Sequence, residues 1–544
     1  MKKVLSLILV SVLLLALMVG CTGDSKTTAA PTPSSAAGGE ATATPSPETD
    51  QPEFPLTAEP RKFSFYHRVD AGLNIESNAD NLYWKEMAKL TNISFDWIHP
   101  PLTNLSETFN LMIASQNYPN VIHGFYGAYT PGIDDAIESD IIYALNDYTQ
   151  YLPNLHRWLE SDNRYMLNSI TDKGNFFGIP YLKNVEQGPW AGPIYRADLA
   201  DKYNLDTPQT YADWENYLTI CRDQEGMTEG PLGICMYVTS LFGSTNSGYG
   251  VGSLMGPWIN KDGTVVNTVL TEDFREYITM MTDWFDKGLI NRDFMSNVIY
   301  YGGGVPKFAN GEISMGEATY DLSEYVISCP PEMKIAAIPL PVRNVGDVNH
   351  IRQTNPMTTP GDAAVFSTSL NQEDLTLLCR YFDYMFTEDG QLLANWGVEG
   401  ITFEYGADGK PVWTDLITNN PDGMGVLQAQ AVYLARNTIG VYEWTREITP
   451  EILEIMDIWS TADDAYVLPS GVSLTAEEAT ESSNIWGDCS TYISENVLLF
   501  VTGGKPLSEW DGFVNQLKSM DIDRCTELRQ VALDRYLARV DLIK

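Results

Sequence analysis

Phe63-Ser64-Phe65-Tyr66, Ile93-Ser94-Phe95-Asp96-Trp97-Ile98 and Val121-Ile122-His123 are three short runs dominated by β-branched and aromatic residues. Such runs favour the pleated, half-buried surface of a sheet, so each reads as a strand. Between the first two, Leu82, Met87 and Leu90 predict a helix over about 79–90. Between the second and third, Phe109-Asn110-Leu111-Met112-Ile113-Ala114 reads as a helix, and Pro119-Asn120 as the turn into the last strand. Strand–helix–strand alternation predicts an α/β architecture.

The same periodicity continues outward along the chain. Thr210 and Asp213 form a capping-box pattern for a helix over 210–222, with Trp214, Tyr217, Leu218 and Cys221 on one face. A helix after Thr271 places Phe274, Ile278, Met281 and Phe285 together, and one from Asn371 does so with Leu375, Leu378, Phe382 and Met385. Near the C-terminus, Ser508 and Asp511 are expected to cap a helix carrying Trp510, Val514 and Leu517. There is no internal repeat.

The N-terminus has a different character. Met1-Lys2-Lys3 is followed by an apolar run from Val4 to Val19 and then Gly20-Cys21. A basic start and a short apolar core are the pattern of an export signal, and the run is shorter than a confident membrane span. Met18-Val19-Gly20-Cys21 resembles a lipobox, which makes residues 1–20 a signal peptide and Cys21 a lipidation site. Thr22 to Pro60 is rich in Thr, Ser, Pro, Ala and Gly, including Pro31, Pro33, Pro45 and Pro47. Such a tract buries too little apolar surface to offset the entropy of ordering it, so 21–60 is expected to be a solvated tether. Acyl chains on Cys21 would hold the protein to the bilayer at about 0.8 kcal/mol per buried methylene. The expected location is the outer face of the cytoplasmic membrane, in a bacterium of Gram-positive type.

The formal net charge of −38 argues against nucleic acid as a partner. If Cys21 is acylated, six of the seven cysteines remain: Cys221, Cys235, Cys329, Cys379, Cys489 and Cys525. They could pair in 15 ways or stay as buried thiols, and Cys221–Cys235 is the nearest pair. Signatures of catalysis are missing. The five histidines, His67, His99, His123, His156 and His350, have no metal-ligand spacing. Gly503-Gly504-Lys505 is followed by Pro506 where a phosphate loop needs Ser or Thr, and Gly302-Gly303-Gly304 lacks the rest of a dinucleotide fingerprint. No cofactor, metal or catalytic residue is expected. Carboxylate pairs for glycoside cleavage meet in space rather than in sequence, so that alternative stays open.

Several stretches, in order along the chain, resemble extracellular solute-binding protein family 1, the lipoprotein receptors of carbohydrate-uptake ABC transporters, with the LplA/LipO-like long-chain branch the nearest in pattern. They are Trp84-Lys85-Glu86-Met87 with Leu90-Thr91-Asn92-Ile93, Phe109 to Ser115 with Pro119-Asn120-Val121, Tyr151-Leu152-Pro153-Asn154-Leu155 and Phe177-Gly178-Ile179-Pro180. Tyr195-Arg196-Ala197-Asp198-Leu199, Tyr203-Asn204-Leu205, Thr207-Pro208 and Asp213-Trp214 follow. Phe308-Ala309-Asn310-Gly311-Glu312, Trp396-Gly397-Val398-Glu399-Gly400 and Thr502-Gly503-Gly504-Lys505-Pro506-Leu507 with Trp510 complete the set.

The resemblance implies a two-lobe periplasmic-binding-protein-like fold of type II, with hinge-crossing strands, a helical C-terminal region and a ligand between the lobes. The approximate division is 61–187 with 313–360 for the N-terminal lobe, 188–312 with 361–430 for the C-terminal lobe, and 431–544 for the helical region. It implies a monomer that passes an oligosaccharide to ABC transporter permease subunits. A calcium loop common in relatives is not matched by Arg222-Asp223-Gln224-Glu225-Gly226-Met227-Thr228-Glu229, whose spacing lacks alternating oxygen ligands.

Sugars present apolar C–H faces and many hydroxyls, which call for aromatic planes with polar groups beside them. Trp396, Trp258 and Trp190 lie in Gly- or Pro-flanked loops, as binding residues often do. Tyr126 and Tyr320 resemble positions that face the cleft, and Glu399 and Arg196 are candidate hydroxyl partners. Trp214, Trp284 and Trp510 fall in amphipathic helices and are expected in the core. Two other readings compete with the tethered receptor: a surface glycoside hydrolase or lyase, and a surface adhesin without transport.

Overall fold

The computed structural model describes residues 53–69, 77–186, 188–233, 243–252, 256–294, 304–320, 322–351, 358, 360–435, 439–443 and 449–543. The expected signal peptide, Cys21, the tether up to residue 52, and Cys235 lie outside the described residues. The strands in chain order are β1 Arg61–Tyr66, β2 Ile93–Ile98, β3 Val121–His123, β4 Tyr181–Lys183, β5 Ala191–Arg196, β6 Trp258–Lys261 and β7 Thr264–Asn267. They continue with β8 Met315–Thr319, β9 Ile335–Ala337, β10 Ala364–Phe366, β11 Phe403–Tyr405, β12 Pro411–Trp413 and β13 Gly440–Tyr442.

The three runs that open the chain form one sheet, ordered β10-β3-β1-β2. β1 runs parallel to both β2 and β3, with Phe65 opposite Trp97 and Val121, and β10 returns antiparallel to β3. Parallel neighbours need crossover helices. Leu82–Thr91 and Leu105–Ser115 supply them, the first capped by Asn81, whose side chain accepts from the Trp84 amide. One face of the sheet packs Phe63, Phe65, Phe95, Trp84 and Met87 against Leu375, Leu378 and Phe382 of the helix Gln372–Asp383. The other packs Tyr66, Ile122 and Val365 against Phe109 and Phe177.

A second sheet, β9-β5-β8, has both outer strands antiparallel to β5. Parallel bridges from Leu232 to Met315 and to Ile290 extend it beyond β8. Its main core holds Tyr195, Trp214, Tyr217 and Leu218 with Phe274, Met281 and Trp284. The helix Tyr211–Gln224 begins with the expected capping box of Thr210 and Asp213. The helix Glu272–Asp286 buries Phe274, Tyr277, Ile278, Met281 and Trp284, while Phe285 packs at the margin.

These pairings exchange two of the expected lobe segments. β8 and β9, within 313–360, pair with β5 and belong to the second lobe. β10 and the helix Gln372–Asp383, within 361–430, join the first lobe through β3 and its core. Periodicity marks each element's buried face but not which sheet receives it, and the chain crosses between the sheets more often than the sequence reveals.

The crossings lie together. Ile179 bridges Ala364, Leu182 bridges Thr358, and β4 runs parallel to β13. They pass so close that a Cβ on Gly178 would sit 2.5 Å from the Ala364 carbonyl oxygen.

The C-terminal helices pack mainly on the second lobe. Ile493, Val497 and Phe500 of the helix Ala476–Val501 enter the core of Phe274 and Trp284. The helix near the C-terminus runs from Trp510 to Ser519; its N-cap is Glu509, and neither Ser508 nor Asp511 forms the expected side-chain cap, because a short 3-10 turn, Leu507–Glu509, precedes it. Cys221, Cys329, Cys379, Cys489 and Cys525 are free, buried thiols, and Cys235, the other member of the nearest pair in sequence, lies outside the described residues. Among the described residues no helix is long and apolar enough to cross a membrane.

Candidate functional site

In an open α/β sheet, ligands meet the carboxyl ends of the parallel strands, where crossover loops part. In the first lobe that edge carries three of the five histidines. His67 follows β1, His99 follows β2 and His123 ends β3. Their sequence separation hides the arrangement; strand adjacency creates it. The His67 and His123 rings stack at 4.7 Å, and His99 Nδ1 lies 2.7 Å from the His67 carbonyl oxygen. Burial, with His123, His99 and Arg68 nearby, holds the His67 pKa well below its ordinary value, so its ring stays neutral. His67 and His123 are buried at this edge and His99 is half-buried. Among the described residues no cluster of three or more His, Cys, Asp or Glu could hold a metal.

The crossing strands form the adjacent floor. Lys183 ends β4 with 8% exposure, and burial lowers its pKa to about 8 against the opposing pull of Asp362. Asp362 precedes β10, and its carbonyl oxygen lies 3.1 Å from His123 Nε2. Next to Lys183, Tyr181 approaches Tyr442 of β13 with ring centroids 5.8 Å apart. Tyr320, Ile452 and Met456 from the second lobe join these two rings in one apolar group. The amide of Tyr320 donates to the Trp190 carbonyl oxygen at 3.0 Å.

The expected site residues divide accordingly. Trp190 and Tyr320 stand on neighbouring ends of β5 and β8, and Tyr320 reaches the crossing strands. Tyr126 follows β3 and stacks on Phe177 at 5.6 Å, with its hydroxyl buried and unpartnered. Trp396 is 8% exposed, and its indole Nε1 donates to Glu443 Oε2 at 2.7 Å, just beyond β13.

Glu399 is exposed on the turn after Trp396 and is not brought to the crossing strands. Trp258 is packed elsewhere, with Val265, Cys525, Leu533 and Trp486, and the Arg529 guanidinium lies 3.4 Å from its ring centre. Arg196 is buried at the end of β5 and donates to Asp198 at 2.9 and 2.6 Å, which keeps the Asp198 carboxyl below its ordinary pKa. Both therefore serve the second lobe's interior. In the segment 222–229, Asp223 is engaged by Arg222, and Glu225 by Lys202 and Tyr203.

Sequence reasoning missed His67, His99, His123, Lys183, Tyr181, Tyr442 and Glu443. A signal existed for the histidines: each closes a short apolar run in the strand–helix–strand pattern. None existed for Tyr442 or Glu443, whose place depends on β13 joining β4.

The arrangement of two sheets with strands crossing between them recurs in solved structures. A human-milk-oligosaccharide-binding solute-binding protein associated with an ABC transporter of Bifidobacterium longum infantis superposes with a TM-score of 0.72, covering 88% of this chain and 99% of its own at 15% identity. The chain has the two-lobe fold of solute-binding proteins. As a protein of this fold it also superposes on FusA, an ABC-transporter substrate-binding protein of Streptococcus pneumoniae, in complex with kestose (TM-score 0.67, 17% identity, 88% and 100% covered). The alginate-binding protein AlgQ2 gives 0.65, at 21% identity with 88% and 99% covered. By sequence, a polygalacturonan/rhamnogalacturonan-binding protein of Bacillus subtilis, YtcQ, is 21% identical over 341 residues, 60% of this chain. The match spans 64% of that relative's length. No family model matches the chain.

Proposed function

We propose that this protein is the substrate-binding component of an ABC importer: it captures an oligosaccharide between its lobes and delivers it to the permease subunits without catalysis. The observation that carries the reading is the meeting of Tyr181 and Tyr442, on the crossing strands, with Tyr320 of the second lobe, next to the histidine edge of the first. Such a site offers aromatic faces for sugar C–H groups, and imidazole, carboxylate and ammonium groups for hydroxyls. Trp190, Tyr126 and Trp396 are proposed to line the same region. A ligand touching both lobes stabilises the closed form by its differential affinity for it, and closure is what a permease can read. Solved proteins of this fold bind kestose, human milk oligosaccharides and alginate, and the relative from Bacillus subtilis is a polygalacturonan/rhamnogalacturonan-binding protein. Acylation of Cys21, with the tract to Pro60 as tether, would keep the receptor at high effective concentration near its permease.

A thermal-shift panel of neutral and acidic oligosaccharides tests this. A cognate ligand at a hundred times its Kd adds about 2.7 kcal/mol of stability. Sustained release of shortened products would favour the hydrolase or lyase reading instead. A panel without any shift would favour the adhesin.

A further inference from the structure

We propose that the interlobe site selects acidic saccharides, with the Lys183 ammonium on the crossing strands taking the carboxylate of a uronate unit; this deepens the receptor reading above and rests on it. Side chains alternate along a strand, so Tyr181 and Lys183 leave one face of β4 and Leu182 the other. Leu182 and its register partner Val441 enter the first-lobe core. Tyr442, the register partner of Lys183, packs with Tyr181 and with Tyr320, Ile452 and Met456 of the second lobe. Lys183 therefore stands on the face of the crossing strands that is turned to the second lobe, beside the two tyrosine rings.

The charge balance at this point is local. The chain as a whole carries −38, but exposed charges further away than about 8 Å are largely screened at physiological salt. At Lys183 the opposing pull comes from Asp362, and burial outweighs it, which holds the ammonium to a pKa of about 8. The carboxylate of Glu443, next along the chain from Tyr442, accepts instead from Trp396 Nε1 at 2.7 Å. The cation is thus under-compensated where it stands. An ammonium has three N–H donors, so a contact within the protein does not exhaust it. The histidine edge beyond Asp362 is short of a partner as well. The Asp362 carbonyl oxygen lies 3.1 Å from His123 Nε2, the His67 ring stacks on His123, and His67 Nε2 is buried with no hydrogen-bond partner among the described residues.

The occupant follows from this chemistry. A buried cation short of counter-charge gains more from an anion than from a neutral hydroxyl, because a charge-assisted hydrogen bond is roughly twice as strong as a neutral one and strengthens further away from water. A uronate unit carries that anion on the same ring whose C–H face covers an aromatic side chain, and the Tyr181 and Tyr442 rings lie beside Lys183 with centroids 5.8 Å apart. A neutral sugar unit fills the same space and leaves the ammonium under-compensated. A small inorganic anion meets the ammonium and leaves the rings uncovered. The pairing of cation and rings on one face is what points to an acidic sugar.

The test compares each acid with its own neutral ester. Oligogalacturonides and oligomannuronates, as free acids and as methyl esters, are titrated calorimetrically into the wild type, Lys183→Met and Asp362→Asn. In the wild type the free acid should bind at least about tenfold more tightly than its ester, the scale of one charge-assisted hydrogen bond. Lys183→Met should erase that preference by weakening the acid and not the ester. Asp362→Asn keeps the backbone carbonyl that meets His123 and removes the competing carboxylate, so it should widen the preference. Equal binding of acid and ester by the wild type would overturn the inference. A Lys183→Met protein that loses both alike would make Lys183 structural, and an acid preference that survives Lys183→Met would place the carboxylate elsewhere; either result overturns it. Binding of neutral oligosaccharides alone would do the same. In all of these outcomes a saccharide binds and the receptor reading stands. Silence of acids, esters and neutral oligosaccharides together would remove the receptor reading as well.

Discussion

Arg539 reaches back across the whole chain to Asp172: its guanidinium Nε donates to the carboxylate at 2.7 Å while only 2% of the residue is exposed. The same guanidinium donates to the carbonyl oxygens of Leu167 and Ile170, at the end of the helix Asn163–Ser169 in the first lobe. Arg535, one turn earlier, joins Asp172 and Glu478. Meanwhile Cys525 and Leu533, on the same helix Ile522–Ala538, pack on Trp258 and Val265 of the second lobe. The last helix therefore spans both lobes on its own, in addition to the crossing strands.

Arg539→Met should be strongly destabilising. It leaves a carboxylate and two helix-end carbonyls without their cationic donor, and breaking a buried pair by removing one partner costs about 3 kcal/mol. Urea unfolding of the variant should show the midpoint falling accordingly. Asp172→Asn keeps one acceptor for Arg539 and should cost less. A loss under 1 kcal/mol in Arg539→Met would mean that the helix end is not held by this contact.

Much of the first sheet was legible in the sequence, because β1, β2 and β3 are each apolar runs separated by periodic helices, and β2 spans Ile93–Ile98 as read. The lobe assignment of 313–430 was not legible. Met315–Thr319 and Ala364–Phe366 are both short and buried, and nothing local tells which sheet each joins. The site behaves likewise. Trp396 and Tyr320 could be picked by residue type and loop context, whereas Lys183 and Glu443 gain their meaning from β4 meeting β13. Trp258 shows the converse failure: a loop-like Gly256-Pro257 context precedes a strand whose tryptophan is covered by Trp486 and Arg529 of the C-terminal helices.

Lys183 provides a pH-dependent signature. Burial lowers its pKa to about 8 from 10.5, so between those values the unfolded chain binds more protons than the folded one. Stability from this group therefore rises as pH increases through that window, by up to roughly 3 kcal/mol. Buried tyrosines such as Tyr165, whose hydroxyl donates to the Lys183 carbonyl oxygen, act in the opposite sense at higher pH. Comparison with Lys183→Met removes that background. The stability advantage of the methionine variant should be largest at pH 7 and shrink toward pH 10. An advantage that does not change with pH would show that Lys183 is not desolvated.

Gly192 and Trp459 make the sharpest packing prediction in the second lobe. The helix Pro450–Trp459 lies across β5, and the Trp459 indole donates to the Pro193 carbonyl oxygen at 3.0 Å. A Cβ on Gly192 would sit 2.5 Å from the nearest indole carbon, closer than real contacts allow, and the ring is fully buried. Gly192→Ala must therefore push the indole off the strand or bend β5. Overpacking of this kind costs typically 1–3 kcal/mol. Because β13 precedes this helix and Met456 and Ile452 on it touch Tyr442, the displacement should reach the interlobe group as well. Gly192→Ala is expected to lower the denaturation midpoint and to weaken oligosaccharide binding. Trp459→Leu in the Gly192→Ala background should recover part of the stability by making room for the methyl group. If the double variant is less stable than the additive sum of the two single ones, the clash is not the cause.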